Sequence, residues 1–214
     1  MSARTALAAF AVLAGTSACL AQSTISGTDK YGWSENCGYL NFRDAGDPAG
    51  AQGVRLHADH LSGNIWGENS GWIRTGSGAG PYTNTTGLDY GVNLDPGTGL
   101  LSGYAWAENA GWINFAGGAF ATPANPARID FAARRLRGYA WAENIGWINL
   151  DDLTTFVALT CPADFDGDGF ITGIDFDLFV QAFEAGEMPA DFDGDGFITG
   201  IDFDLYVAAY EAGC

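Results

Sequence analysis

The residues best placed to do chemistry are two identical runs, DFDGDGFITGIDFDL, which begin at Asp164 and Asp191 and lie 27 residues apart. Each run fits a twelve-position loop. Asp164, Asp166 and Asp168 fall at positions 1, 3 and 5 of the first loop, with Asp175 at position 12; Asp191, Asp193, Asp195 and Asp202 repeat the pattern in the second. Alternate carboxylates pointing inward are what a hard cation needs, and calcium takes six to eight oxygens in such a cage. Glycine at position 6 permits the sharp turn. Position 7, Phe170 or Phe197, offers a backbone carbonyl, and position 9, Thr172 or Thr199, can hold a water. Four aspartates in one loop repel one another without a metal, so the module is expected to fold or tighten on two calcium ions.

After each loop, apolar residues recur at helical spacing: Ile174, Leu178, Phe179, Ala182 and Phe183, then Ile201, Leu205, Tyr206, Ala209 and Tyr210. Two helices, each burying an apolar face against the other, are expected. A duplicated loop-then-helix with Asp at position 12 and no clear helix entering the loop resembles a type I dockerin. The opening CPADFDGDGF and closing EAGC are similar to the short dockerin-like tails of secreted planctomycete proteins. The resemblance covers residues 161–214 and implies attachment to a cohesin-like or other envelope docking protein. Dockerins dock through loop positions 10 and 11 and the following helix, here Gly173, Ile174, Gly200 and Ile201. Many cellulosomal dockerins carry Ser or Thr there, so a standard cellulosomal cohesin is not the expected partner. The near-identity of the halves implies that either could present the same surface.

Charge and termini place this module in context. The formal net charge is −17, and residues 161–214 hold 13 Asp and Glu with no Lys or Arg. Phosphate binding needs clustered cations, so nucleic acid is not an expected partner. Residues 1–21 read as an export signal: Arg4, an apolar stretch from Ala6 to Gly15, and Ala21 before a cleavage point at Gln22. Cys19 as a lipidated residue is the alternative, although Thr16 stands where a lipobox usually has Leu. No later segment approaches membrane-spanning length, and the expected location is secreted, extracellular or cell-surface. Export permits disulfides. Cys161 and Cys214 bracket the acidic module, so they are expected to pair, closing a loop that would contribute about 4 kcal/mol in a chain-entropy account. Cys37 is then the odd thiol.

Residues 22–160 are organised by repeats. YGWSENCGYLNF from Tyr31, NIWGENSGWIRT from Asn64, YAWAENAGWINF from Tyr104 and YAWAENIGWINL from Tyr139 share W-x-E-N-x-G-[WY]-[IL]-N, with Arg74 in place of the last Asn in the second copy. All seven Trp fall inside these copies. Glu-Asn-x-Gly between two aromatic runs reads as a hairpin turn, because Asn and Gly tolerate the positive φ such turns need. Alternating segments upstream, around Gly53–Leu56, Gly91–Leu94 and Ala127–Phe131, predict a third strand for each of the last three units. The first copy lacks that strand. Residues 155–159 (TFVAL) resemble it, and pairing them with the N-terminal segment would close a ring and hide two sheet edges. The expected fold is an all-β repeat domain, closed as a four-unit propeller or barrel, followed by a small helical calcium-loop module; a sandwich or open stack is the alternative.

The Trp motif has two readings. Recurrence of the whole motif points to a structural role, with Trp as core staves and Glu bonding free backbone N–H groups. The variable residue in the turn (Cys37, Ser70, Ala110, Ile145) carries no common chemistry. The alternative is that Trp33, Trp66, Trp106 and Trp141 are exposed and stack on sugar rings, giving multivalent glycan binding. Catalysis is not expected. His57 and His60 form an isolated His-x-x-His, no nucleophile elbow or phosphate loop occurs, and Glu35, Glu68, Glu108 and Glu143 are repeat equivalents, not two carboxylates in distinct environments. Asp151 and Asp152 read as a turn. The expected protein is therefore an exported binding or structural domain carried by a calcium-binding docking module, with a carbohydrate-binding or polysaccharide-degrading component as the alternative.

Overall fold

The computed structural model describes residues 23–166, 170–193 and 195–212. The proposed export signal, with Cys19, thus falls outside the described residues.

Each Trp motif is an antiparallel hairpin. The four are β1 (Ile25–Ser34) with β2 (Gly38–Asn41), β5 (Asn64–Gly67) with β6 (Gly71–Arg74), β8 (Leu101–Ala107) with β9 (Gly111–Asn114), and β12 (Tyr139–Ala142) with β13 (Gly146–Asn149). The turns work as the motif predicts. The glycine after Glu-Asn-x has φ between +70° and +77° in all four copies, a conformation that other residues adopt only at a cost.

The hairpins join edge to edge, β2 to β5, β6 to β8, β9 to β12 and β13 to β1, so eight strands form a closed antiparallel barrel. One continuous ring of backbone hydrogen bonds makes it a barrel; the blades of a propeller would be separate sheets. The remaining strands lie outside this ring. The pair β3 (Arg55–Leu56) and β4 (Leu61–Ser62) precedes the second hairpin, β7 (Val92–Leu94) pairs with the first half of β8, and β10 (Arg128–Asp130) pairs with β11 (Arg135–Arg137). The last strand, β14 (Val157–Leu159), pairs with the first half of β1, Ile25 opposite Leu159 and Lys30 opposite Val157. It takes in the first unit the place that β7 takes in the third, as the sequence of residues 155–159 predicts.

The barrel interior overturns the expectation that Trp forms the core. Inward positions carry Leu40, Ile73, Ile113 and Ile148, all buried. At each joint these face a small residue of the next hairpin: Gly67, Ala107, Ala142 and Ser34. Alternation of large and small side chains is how a narrow barrel fills. Four pairs of aromatic rings would not fit there, and the Trp side chains lie on the outer face. The variable turn residues Cys37, Ser70, Ala110 and Ile145 are also buried and plug the turn end of the barrel. Phe42, Phe115 and Leu150 are buried just past the opposite ends of the hairpins. Cys37 is a free, buried thiol.

The C-terminal segment folds as two helices, α1 (Gly173–Ala185) and α2 (Gly200–Ala212), with a short 3-10 turn at Met188–Ala190 before the second loop. Their interface is aromatic. Phe179 and Tyr206, equivalent residues of the two copies, stack at 3.7 Å with rings 4° from parallel, and Phe165 and Phe192 meet both edge-on. The Tyr206 hydroxyl donates to the Ala163 carbonyl, and burial pushes its pKa up to about 12. Three residues of the expected apolar face lie elsewhere: Ile174, Ile201 and Leu205 are exposed, while Phe176 and Phe203 pack on the core. The helix begins at Gly173, so its first turn projects position 11 of the loop outward and turns Asp175, three residues in, towards the loop.

Candidate metal loops and an aromatic outer face

In the first loop, carboxylate oxygens of Asp164, Asp166 and Asp175 lie within 4.8 Å of one another; in the second, those of Asp191, Asp193 and Asp195 do so. Both clusters are all-oxygen and anionic, a donor set suited to a hard divalent cation. Asp168 lies outside the described residues. Gly196, at position 6, has φ +89°, the sharp turn that the loop requires.

The position-12 aspartates hold each loop against its helix. Asp175 accepts hydrogen bonds from the backbone N–H of Phe165 (2.8 Å), Asp166 (3.2 Å) and Thr172 (2.7 Å), and from the Thr172 hydroxyl (3.1 Å). Thr172 in turn accepts from Ile174 N–H, which completes a capping box at the start of α1. Asp202 makes the same four bonds with Phe192, Asp193 and Thr199. Burial pushes the Asp175 carboxyl up, but these donors more than offset it and hold the group below the usual aspartate value. The backbone N–H of Thr199, with the other donors, likewise holds Asp202 down. The second loop's carboxylates also cap its own backbone: Asp193 accepts from Asp195 N–H, Asp191 from Gly196 and Asp195 from Phe197. Thr172 and Thr199 thus act as helix caps in this structure. Phe170 and Phe197 expose their rings, and Gly173, Ile174, Gly200 and Ile201 are exposed. Cys161 is disulfide-bonded; Cys214 lies outside the described residues.

The second candidate is the outer face of the barrel. Trp33, Trp66 and Trp141 are exposed and Trp106 half-buried, each beside a second aromatic across its hairpin. Trp66 and Trp72 lie 4.6 Å apart at 59°, Trp106 and Trp112 repeat that geometry, and Trp33 meets Tyr39 edge-on at 4.8 Å. The partner aromatics Tyr39, Trp72, Trp112 and Trp147 are equal members of this belt. The alternation of aromatic with Ile or Leu in W-I-N and Y-L-N puts them on the same face as the first Trp. Grooves form where units join: one of about 700 Å³ between the first and second, one of about 640 Å³ between the second and third, and one of about 480 Å³ between the fourth and first.

The motif's other residues divide between structure and surface. Asn69, Asn109 and Asn144 each donate to the turn carbonyl of the preceding unit, at Cys37, Ser70 and Ala110, and the Ser34 hydroxyl closes the ring on Ile145. The turn asparagine is therefore a circumferential stitch. The final Asn of the first, third and fourth copies accepts a backbone N–H two residues on and shapes the exit from the hairpin. The four motif glutamates are exposed and do not bond turn N–H groups among the described residues. His57 and His60 stack at 4.2 Å beside Ser62 and Asp59. Asp152 closes a turn on Thr154 and Thr155, as read from the sequence, whereas Asp151 pairs with Arg137 at 3.0 Å.

The fold and these two surfaces define an eight-stranded barrel of four aromatic hairpins followed by a duplicated acidic loop-helix. No family model matches the chain, and no curated protein or solved structure matches it.

Proposed function

We propose that this chain is an exported calcium-binding protein whose C-terminal module attaches the barrel to an envelope partner through a dockerin-type contact. The observation that carries the reading is the convergence of three carboxylates in each of two loops of identical sequence. Two such clusters in a segment with 13 acidic and no basic residues leave a large repulsion that divalent cations would relieve. Calcium fits a long, all-oxygen loop better than magnesium, which prefers a tight octahedron and keeps its waters. The exposed Gly173–Ile174 and Gly200–Ile201 would present the docking surface, once from each half.

The test is calorimetric titration of the full mature chain with calcium, followed by co-sedimentation with envelope fragments in calcium and in EGTA. Two bound ions, and sedimentation that both EGTA and a combined Asp175→Ala, Asp202→Ala substitution abolish, are expected. No heat of calcium binding would overturn the metal reading. Two bound ions with sedimentation unchanged by EGTA would overturn the docking reading alone.

A further inference from the structure

We propose that the joints between barrel units bind neutral pyranose rings, and that the joint between the second and third units is the best-formed of these sites. This inference concerns the barrel alone and does not depend on the metal module.

The argument starts from register. At every joint the first Trp of one hairpin stands opposite the last residue of the preceding motif: Trp66 opposite Asn41, Trp106 opposite Arg74, Trp141 opposite Asn114 and Trp33 opposite Asn149. The same outer-face arrangement is thus built four times. The interior does not demand it, because Leu, Ile and small residues fill the barrel without an aromatic ring. Nor do the turns, which need only Asn and Gly. Aromatic side chains held on an exposed face at four equivalent places form a surface with a use beyond packing.

The groove at the second joint shows what it would hold. Trp72, more than half exposed, and Trp106 supply ring faces. Arg74 and Asn109 supply N–H donors on the rim, Glu108 an acceptor, and Gln52 both. A pyranose ring matches this pattern: its axial C–H groups make an apolar face for an indole, and its equatorial hydroxyls donate and accept around the edge. A purely apolar ligand would leave the rim groups without partners. Charge narrows the class further. The grooves at the first, second and fourth joints each contain a motif glutamate, Glu68, Glu108 or Glu35, on a chain of net charge −17. Arg74 offsets Glu108 locally at the second joint, but the net charge still disfavours uronate or sulfate groups, whereas neutral hydroxyls can donate to these carboxylates. Repetition around the barrel suits a polymer, since a second ring engages at a high effective concentration once the first is held.

The test uses the full mature chain and a set of neutral hexaoses: those of β-1,4-glucose, β-1,4-N-acetylglucosamine, β-1,4-mannose, β-1,4-xylose and α-1,4-glucose. Polygalacturonate is the acidic comparison. Tryptophan emission and its quenching by acrylamide are followed in calcium and in EGTA. At least one neutral hexaose is expected to protect the indoles saturably, equally in both buffers. Trp72→Ala and Trp106→Ala are expected to weaken binding about tenfold or more with the thermal transition retained, because both side chains lie outside the core. Glu108→Gln is the milder variant, expected to weaken the neutral hexaose and to improve polygalacturonate. The proposal fails if none of the hexaoses protects at about 1 mM, if polygalacturonate binds the unsubstituted chain as tightly as the best neutral sugar, or if binding survives all three substitutions unchanged.

Discussion

Replacing Gly103 with alanine puts the junction between barrel and upstream strand under direct stress. Gly103 has φ +86°, and a Cβ built there would lie under 3.0 Å from the Gly91 carbonyl oxygen and from the Asn84 side chain. That oxygen accepts the Tyr104 N–H at 3.1 Å, so it cannot retreat without giving up the bond. The backbone of Gly103 is also held, since its own carbonyl accepts Phe115 N–H at 3.0 Å. A non-glycine residue at such a φ costs about 1–2 kcal/mol, and loss of one of the two crossing hydrogen bonds costs about 1 kcal/mol more. The sum is about 3 kcal/mol, which at roughly 2–4 °C per kcal/mol lowers the midpoint by about 10 °C. All seven Trp lie in the barrel hairpins, so tryptophan emission during a thermal scan reports this domain and not the helical module. Gly27→Ala is the control. Its φ is not positive and nothing lies within 4 Å of the added methyl, so it should fall within about 0.5 kcal/mol of the parent. The chain contains an internal comparison as well. Lys30 occupies the equivalent place in the first unit, and its carbonyl accepts Phe42 N–H at 2.9 Å just as that of Gly103 accepts Phe115. There the strand alongside is β14, from the far end of the domain. A Gly103→Ala protein that melts within about 1 kcal/mol of the parent would refute the crossing geometry.

Three further outcomes are expected. Ile113→Ala should destabilise the barrel by about 3 kcal/mol in chemical denaturation, whereas Trp112→Ala, on the outer face, should cost under about 1 kcal/mol; the reverse order would put the indoles inside. Asp175→Ala removes the four hydrogen bonds by which Asp175 ties the first loop to α1, so helical ellipticity should fall in calcium-free buffer while the tryptophan-monitored melt stays put; unchanged ellipticity would count against this role of Asp175. Burial raises the Asp151 carboxyl, but Asn125 and Arg137 outweigh it, and Asp130 is held down by Ala133 N–H and by Arg137, so both sit below the ordinary 3.8 in the folded state. The unfolded chain then binds the proton more readily. Barrel stability should be level above about pH 4 and fall as pH drops through the depressed native values, with Asp151→Asn flattening that slope when melts are run across the acid range.

The hairpins, their joining into a ring and the strand that completes the first unit were all legible in the sequence. Each rests on a local rule: positive-φ glycine after Glu-Asn-x, alternation in the flanking runs, and a repeat with one strand missing at its start and one left over at its end. The side on which the indoles lie was not legible by the same means. In the Y-A-W-A and W-I-N runs both faces are apolar, and hydropathy favours the larger rings for the interior. What decides is the width of the closed barrel, which takes one large side chain beside one small one at each joint, and Ala105, Ala107, Ala140 and Ala142 are the residues that signal it. The two acidic clusters were legible from the spacing of their aspartates, whereas Thr172 and Thr199, read as positions for a water, serve as helix caps. The apolar helix face was read one step out of phase at Ile174 and Ile201, since the helix starts within the loop and spends its first turn on Asp175 and Asp202.

The placement of β14 also has a mechanical side. This strand leads out of the barrel at Leu159, antiparallel to β1, with β11 on its other edge. Thr160 N–H bonds the Thr24 carbonyl and Leu159 N–H the Arg134 carbonyl. A tension applied to the chain beyond Thr160 while the barrel is held would therefore run along β14 and load these bonds in shear, several at once, instead of peeling them singly. A barrel tethered by its C-terminal tail in flowing water would be gripped along a strand loaded in shear.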